Sequence, residues 1–296
     1  MTSSEPSQDP VQRLAWAFPG FFVLLWSTGF IGAKLGLPYA EPATFLSIRM
    51  LAVLALLLPV CVLTSAPWPS SRREAGHMAV AGVFTQAGYL GGVFYSLHVG
   101  MPTGVSALIM GLQPILTALL GAPLIGERTN ARQWAGLLLG VAGVALVVGE
   151  KAVFEGVNAA AVFLSAFALL SITLGTLWQK RFCPRIDLRS GAALQFGAAL
   201  AVLAPVALLV ESHQVRWTGE FVFAVAWLAI VLSLGAVFLL FWLIRHGAAN
   251  KVASLMYLVP PCTALIAWPL FGETYTLFSA AGMGLAVLAV WLVTKG

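Results

Sequence analysis

The 296-residue sequence predicts an all-α polytopic membrane protein, ten transmembrane helices arranged as two inverted five-helix repeats. Three observations predict it. The chain is 60% hydrophobic and only 9% charged, with a mean hydropathy of +0.93, outside the range of an ordinary water-soluble globule. Apolar stretches of the roughly 20 residues needed to cross about 30 Å of hydrocarbon recur along its length. Finally, the two halves match: Leu108, Pro114, Gly126, Glu127 and Gly136 stand against Leu255, Pro261, Gly272, Glu273 and Gly282, at an offset of 147 residues that slips to 146 after the prolines.

Residues 1–12, rich in Ser, Pro and Gln, read as a disordered tail. Spans then fall at approximately 14–37, 43–64, 76–97, 102–124, 131–149, 158–179, 188–210, 219–244, 250–272 and 275–293. The first is too long for a signal-peptide core and lacks a small-residue cleavage site, so it is expected to be retained. Upstream of the prolines the register extends to Gly88 and Gly100 against Gly235 and Gly247, and to Gly29 and Lys34 against Gly175 and Lys180. Residues 13–149 and 150–296 are thus the expected repeats, and an odd number of spans in each turns the second copy upside down. Such a pair places a substrate path between the halves, near the bilayer midplane. Only the connections near 65–75, 180–188 and 211–218 exceed a tight turn, which leaves no room for a soluble domain. Gly136, Gly140 and Gly143 lie at helical spacing on one face, so the fifth and tenth spans are expected to pack closely as a supporting pair.

With the N-terminus inside, Arg13, Arg72, Arg73, Arg128, Arg132, Lys180, Arg181, Arg185, Arg189, Arg245, Lys251 and Lys295 share one side, and only Lys151 and Arg216 occupy the other. Cytoplasmic loops collect cations, so both termini are expected to be cytoplasmic. The net charge of +5 is then a topology signal, and no nucleic-acid partner follows from it. Cys61, Cys183 and Cys262 are scattered without ligand spacing and read as small apolar packing residues.

Polar groups deep in the spans need partners or water. Gln86, Tyr89, Gln113, Gln195, Ser233 and Tyr257 are of this kind, as are Thr117, Thr173 and Thr263, although a lone Ser or Thr commonly bonds its own helix. Gln86 and Ser233 are equivalent in the repeat, and with Tyr89, Gln113 and Tyr257 they are expected to line a central cavity. Trp26 joins them as an aromatic surface for substrate, whereas Trp178, Trp242 and Trp268 lie toward span ends, where Trp is enriched anyway. Pro114 and Pro261 fall near the middle of the fourth and ninth spans; each is either a packing kink or a bend that opens the cavity.

Two cations lie inside spans. Lys34 is near the outer end of the first and Arg49 about two turns into the second. Either can snorkel outward, while Arg49, replaced by Gln195 in the repeat, can instead pair inside or attract an anionic substrate group. Glu127 and Glu273 each follow a Gly between spans and are expected to complement the N-terminus of the following helix.

The absences narrow the chemistry. Magnesium-dependent diphosphate enzymes need clustered intramembrane carboxylates, and the only aspartates are Asp9 and Asp187, so no metal or cofactor site is expected. His77, His98, His213 and His246 all lie at span ends or in loops, which removes an intramembrane Ser-His pair. The chain reads as a non-enzyme. No carboxylate falls within 14–37, so the first span lacks a proton-coupling acid, and facilitated and ion-coupled transport both stay open.

Trp26-Ser27-Thr28-Gly29 followed by Lys34 and Arg49, together with the run from Ala107-Leu108 through Gln113-Pro114 to Gly126-Glu127, resembles the first and fourth spans of EamA-type members of the drug/metabolite transporter superfamily. Pro260-Pro261 and Gly272-Glu273 repeat the pattern, and the chain is most similar to YddG-type amino-acid exporters. The resemblance implies a ten-helix inner-membrane carrier that exports amino acids, aromatic or apolar ones included, or similar metabolites by alternating access, a monomer being sufficient. A nucleotide-sugar or drug carrier of the same fold is the alternative within transport, and a sensor or scaffold that moves nothing is the alternative outside it.

Overall fold

A computed structural model describes residues 18–125, 131–154, 157–236, 239 and 258–294. All regular structure among them is helical: α1 (Phe18–Gly36), α2 (Pro42–Leu63), α3 (Arg72–Gly82), π1 (Val83–Gly88), α4 (Tyr89–His98), α5 (Thr103–Met110), α6 (Gln113–Ile125), α7 (Ala131–Phe154), α8 (Ala159–Phe182), α9 (Leu188–Val210), α10 (Gly219–Ala226), π2 (Trp227–Ala236), α11 (Val259–Phe271) and α12 (Leu277–Thr294). Among the described residues, five stretches are long and apolar enough to cross a membrane: Pro42–Leu63, Thr103–Gly121, Ala159–Phe182, Leu188–Val210 and Gly219–Ala236. Shorter apolar helices cover Gly20–Gly36, Trp134–Glu150, Val259–Phe271 and Leu277–Ala289. Leu51, Leu58, Phe163, Phe167, Leu208 and Leu209 stay exposed on outward faces, the arrangement hydrocarbon surroundings favour.

Local chemistry starts and stops the helices where the turn residues fall. Ser71, Asn158 and Thr218 accept from Glu74, Ala161 and Phe221 backbone N–H groups at the starts of α3, α8 and α10, and Pro42 opens α2 at a position that needs no donor. Gly272, at φ +66°, closes α11 in the left-handed conformation that a side chain resists.

Three expected spans are not plain α-helices. Backbone widens into π1 within the third and π2 within the eighth, and the fourth is interrupted at Gly111–Leu112 between α5 and α6. Pro114 is therefore not a kink within a continuous helix: it is the second residue of α6, in a first turn where its missing N–H removes no helical bond. Pro261 likewise falls in the first turn of α11, one residue after Pro260.

Close pairing organises the bundle. α7 and α12 pack along each other, with Gly143 and Gly282 so near that a Cβ on either would press on the other's carbonyl, as expected for the fifth and tenth spans. α2 packs on α9 and α5 on α11, and α1 lies against both α11 and π2.

The connections gather at two ends. At one, Arg216 Nη2 donates to the Pro38 carbonyl at 2.7 Å, Asn158 Nδ2 to Val99 at 3.2 Å, Ser212 Oγ to Glu41 at 2.6 Å and Ser279 Oγ to Glu150 at 2.8 Å. At the other, Ser190 Oγ donates to the Pro67 carbonyl at 2.6 Å and Trp178 Nε1 to His77 at 3.2 Å. The first is called the latch end below and the second the mouth end.

Candidate substrate cavity

A cavity of about 640 Å³ enters the bundle from the mouth end. Exposed Lys180, Pro184 and Leu188 form its rim, and Trp26, Phe30, Arg49, Gln86, Tyr89, Phe94 and Ser233 line it further in. Two of its walls are the π segments. An α-helix accommodates one extra residue in a π turn at some cost in hydrogen-bond geometry, and such turns recur at functional sites. Here they hold Gln86 and Ser233, the pair matched in the repeat register, and the register also sets Gly88 of π1 against Gly235 of π2.

Among the described residues, Arg49 is the one cation brought deep into this wall. It is only 4% exposed, its Nη2 donates to Ser233 Oγ at 3.1 Å, and among the described residues its Nε has no hydrogen-bond partner. Tyr89 stands close enough to interact with it electrostatically. Arg49 therefore does not snorkel; it faces the cavity from α2. Lys34 does not snorkel either, because its Nζ lies 2.7 Å from Glu273 Oε1 and 5.0 Å from the centre of the Phe271 ring.

The Trp26-Ser27-Thr28-Gly29 stretch divides its work. Trp26 lines the cavity. Ser27 Oγ donates to the Val259 carbonyl at 3.3 Å, Thr28 Oγ1 accepts from Trp227 Nε1 at 2.9 Å, and Gly29 leaves room for the Leu232 side chain, so α1 is tied to α11 and π2. Gln113 is not on the wall: its Nε2 donates at 3.2 Å to Thr176 Oγ1, and Thr176 is the one that lines the cavity. Tyr257 lies outside the described residues, as do Glu127, Trp242 and Lys251. Thr85, Gln179 and Gln195 are wall residues that sequence reasoning did not assign to the site. Gln195 Nε2 donates to Gln179 Oε1 at 3.1 Å, and its backbone lies so close to Gly82 that a Cβ there would collide with it.

At its inner limit the cavity stops on aromatic packing. Phe94 meets Phe45 edge-on with ring centres 5.2 Å apart, and Phe45 meets Phe221 at the same distance. Phe45, Phe94 and Phe221 are fully buried, and the absent side chain of Gly36 makes room for Phe45. Beyond them sit two buried carboxylates. Glu211 accepts from the Ala43 and Thr44 backbone N–H groups at 2.8 and 2.7 Å, from Thr44 Oγ1 at 2.7 Å and from Tyr95 Oη at 2.6 Å, which caps the N-terminus of α2. Glu273 accepts from Thr103 N at 2.7 Å, Thr103 Oγ1 at 2.6 Å, Gly104 N at 3.3 Å and Lys34. Helix-dipole complementation is thus what Glu273 supplies, but to α5, 170 residues away in sequence, rather than to the following α12. Burial alone pushes the Glu273 carboxyl upward; hydrogen bonds from Lys34, Thr103 and Tyr275 outweigh it and hold the group below its ordinary value.

The whole chain has relatives. The model of a family described as "EamA-like transporter family" matches residues 17–149 and again residues 159–295. An uncharacterized transporter of Bacillus subtilis, YvbV, is 28% identical over 92% of this chain and 89% of its own length. The uncharacterized inner membrane transporter YedA of Escherichia coli is 25% identical over 96% and 92%, and a Salmonella typhimurium protein named "Probable amino-acid metabolite efflux pump" is 23% identical over 93% and 92%. A solved crystal structure, 22% identical, covers 96% of this chain and 97% of its own with a TM-score of 0.65, a likeness of fold.

Proposed function

This chain belongs to the EamA-like transporter family, and from that premise we propose that it exports amino acids, aromatic or apolar ones included, or similar small metabolites by alternating access through the cavity. The observation that carries the reading is a cavity walled by Arg49, Gln86, Tyr89, Trp26 and Ser233 that, among the described residues, opens at the mouth end of the bundle and stops inside on packed Phe side chains. Apolar and aromatic walls with a few placed polar groups suit a small amphiphilic solute. The guanidinium of Arg49 offers two or more donors in the geometry a carboxylate accepts.

Two five-span repeats, residues 13–149 and 150–296, supply the symmetry that alternating access uses, and two family matches within one chain support that division. In this reading the ten spans place both termini in the cytoplasm, the mouth end faces the cytoplasm, and the structure is the inward-facing state of an inner-membrane carrier that works as a monomer. Substrate enters from inside, breakage of the two carboxylate caps frees the latch end, and closure of the mouth follows. The test is efflux: proteoliposomes loaded with a panel of labelled amino acids should release a subset faster than empty-membrane controls. No release of any of them overturns the amino-acid reading.

A further inference from the structure

Among the described residues, the charge lining the cavity is one-sided: no Asp or Glu is among the lining residues, and the sequence of 240–257 contains none. Asp187, which stands between the wall residues Ile186 and Leu188, is held by Arg189 at 3.0 Å. On the other side of the balance stands Arg49, deep in the wall. A buried guanidinium whose partner is one hydroxyl, with Nε unpartnered, keeps a desolvation cost that a bound carboxylate relieves. A zwitterion relieves it only in part, because its ammonium enters the same positive surroundings without a counter-charge; of the two amides there, Gln179 Oε1 already accepts from Gln195 Nε2 at 3.1 Å, and Gln195 Oε1 accepts only at 3.5 Å from Thr85 Oγ1 and offers no charge.

We propose, on the basis of the transport reading above, that this cavity selects small organic monoanions with an apolar body, carboxylates that lack an ammonium group, over the corresponding zwitterions and cations. Arg49 holds the carboxylate, Tyr89, Trp26 and Phe30 cover the apolar body, and the Gln86 amide meets an oxo or amide oxygen on the neighbouring carbon.

Three solutes with one carbon skeleton isolate the charge: α-ketoisocaproate, leucine and leucinamide, each labelled and offered to proteoliposomes at neutral pH, with protein-free vesicles as the permeation control. The oxo acid should enter about tenfold faster than leucine at equal concentration, and leucinamide no faster than in the control. Arg49→Gln, checked for folding by gel filtration, should erase the preference for the anion, and Arg49→Lys should retain it in part. Leucine entering as fast as the oxo acid, or faster, overturns the inference and leaves the amino-acid reading standing. Preferred entry of leucinamide, or entry of none of the three, also overturns it, while the amino-acid efflux panel judges the broader reading separately. An anion preference that survives Arg49→Gln removes Arg49 from the role.

Discussion

The latch end and the mouth end of the bundle are held together by different chemistry. At the latch end, buried carboxylates cap the N-termini of helices distant in sequence, Glu211 on α2 and Glu273 on α5, over a plug of Phe45, Phe94 and Phe221. At the mouth end the connections carry cations, Arg72, Arg73, Lys180, Arg181 and Arg185 among them, and the cavity reaches solvent past Lys180 and Pro184. Among the described residues, the tie from Ser190 to the Pro67 carbonyl joins the start of α9 to the connection between α2 and α3. The difference teaches how a membrane carrier holds one end shut without a large soluble domain: a charged acceptor is buried where several helix-end donors converge, each strengthened by low dielectric surroundings.

Breaking the latch end should have the largest effect. Glu273→Ala strands Lys34, the Thr103 hydroxyl and two backbone donors, and removal of one partner from a buried pair costs on the order of 3–5 kcal/mol. The melting temperature in detergent should fall by several degrees, and a cysteine placed at Val99 should label faster from the latch end. Unchanged melting and labelling would show that the cap holds nothing. Next comes the cavity: Arg49→Gln should leave the bundle folded while transport of a carboxylate substrate falls several-fold to a hundredfold, as loss of about 1–3 kcal/mol implies. Transport within twofold of the parent at matched folded protein would return Arg49 to a packing role.

A smaller effect is expected of Glu211→Gln. The amide keeps an acceptor for one of the α2 donors and loses the charge, so stability should drop by about 1–2 kcal/mol, less than for Glu273→Ala. Equal losses for the two would mean that charge, and not the number of donors, sets the strength of a cap. The smallest effect is that of acid. Because the Glu273 carboxyl is held below its ordinary value of 4.5 in the folded protein, its contribution is complete above that value and disappears as pH falls through the lowered one. The melting-temperature difference between parent and Glu273→Gln should therefore be constant from about pH 8 down to about pH 5 and shrink only in stronger acid. A difference that changes near neutrality would make Glu273 a proton switch.

The helices were legible because hydrocarbon leaves a simple signature: long apolar runs whose polar breaks mark the connections. Much of the cavity wall was legible for the same reason, since Arg49, Gln86, Tyr89 and Ser233 are polar groups in runs that otherwise exclude them, and Trp26 sits in the recognisable first-span stretch. The π segments were not. A π turn inserts one residue without changing composition, and the only trace in the sequence is that Gly88 and Gly235 recur beside matched polar positions. Gln113 shows the limit of arguing from depth alone, because a polar side chain can find a neighbouring helix as readily as a cavity. The carboxylate caps were hidden for a further reason. Sequence gives the preference of Glu273 for a helix N-terminus but not which one, and the helix it meets starts 170 residues away.

Alternating access is the central claim, and a covalent bridge across the latch end tests it directly. Glu41 and Ser212 meet there on exposed loops, so with Cys61, Cys183 and Cys262 replaced by Ser or Ala, Glu41→Cys and Ser212→Cys can be joined by a disulfide or a short bifunctional thiol reagent. The account predicts that the joined protein stays folded, binds substrate from the mouth end and transports none, and that reduction of the disulfide restores the rate. Transport at the parent rate with the bridge intact would contradict it.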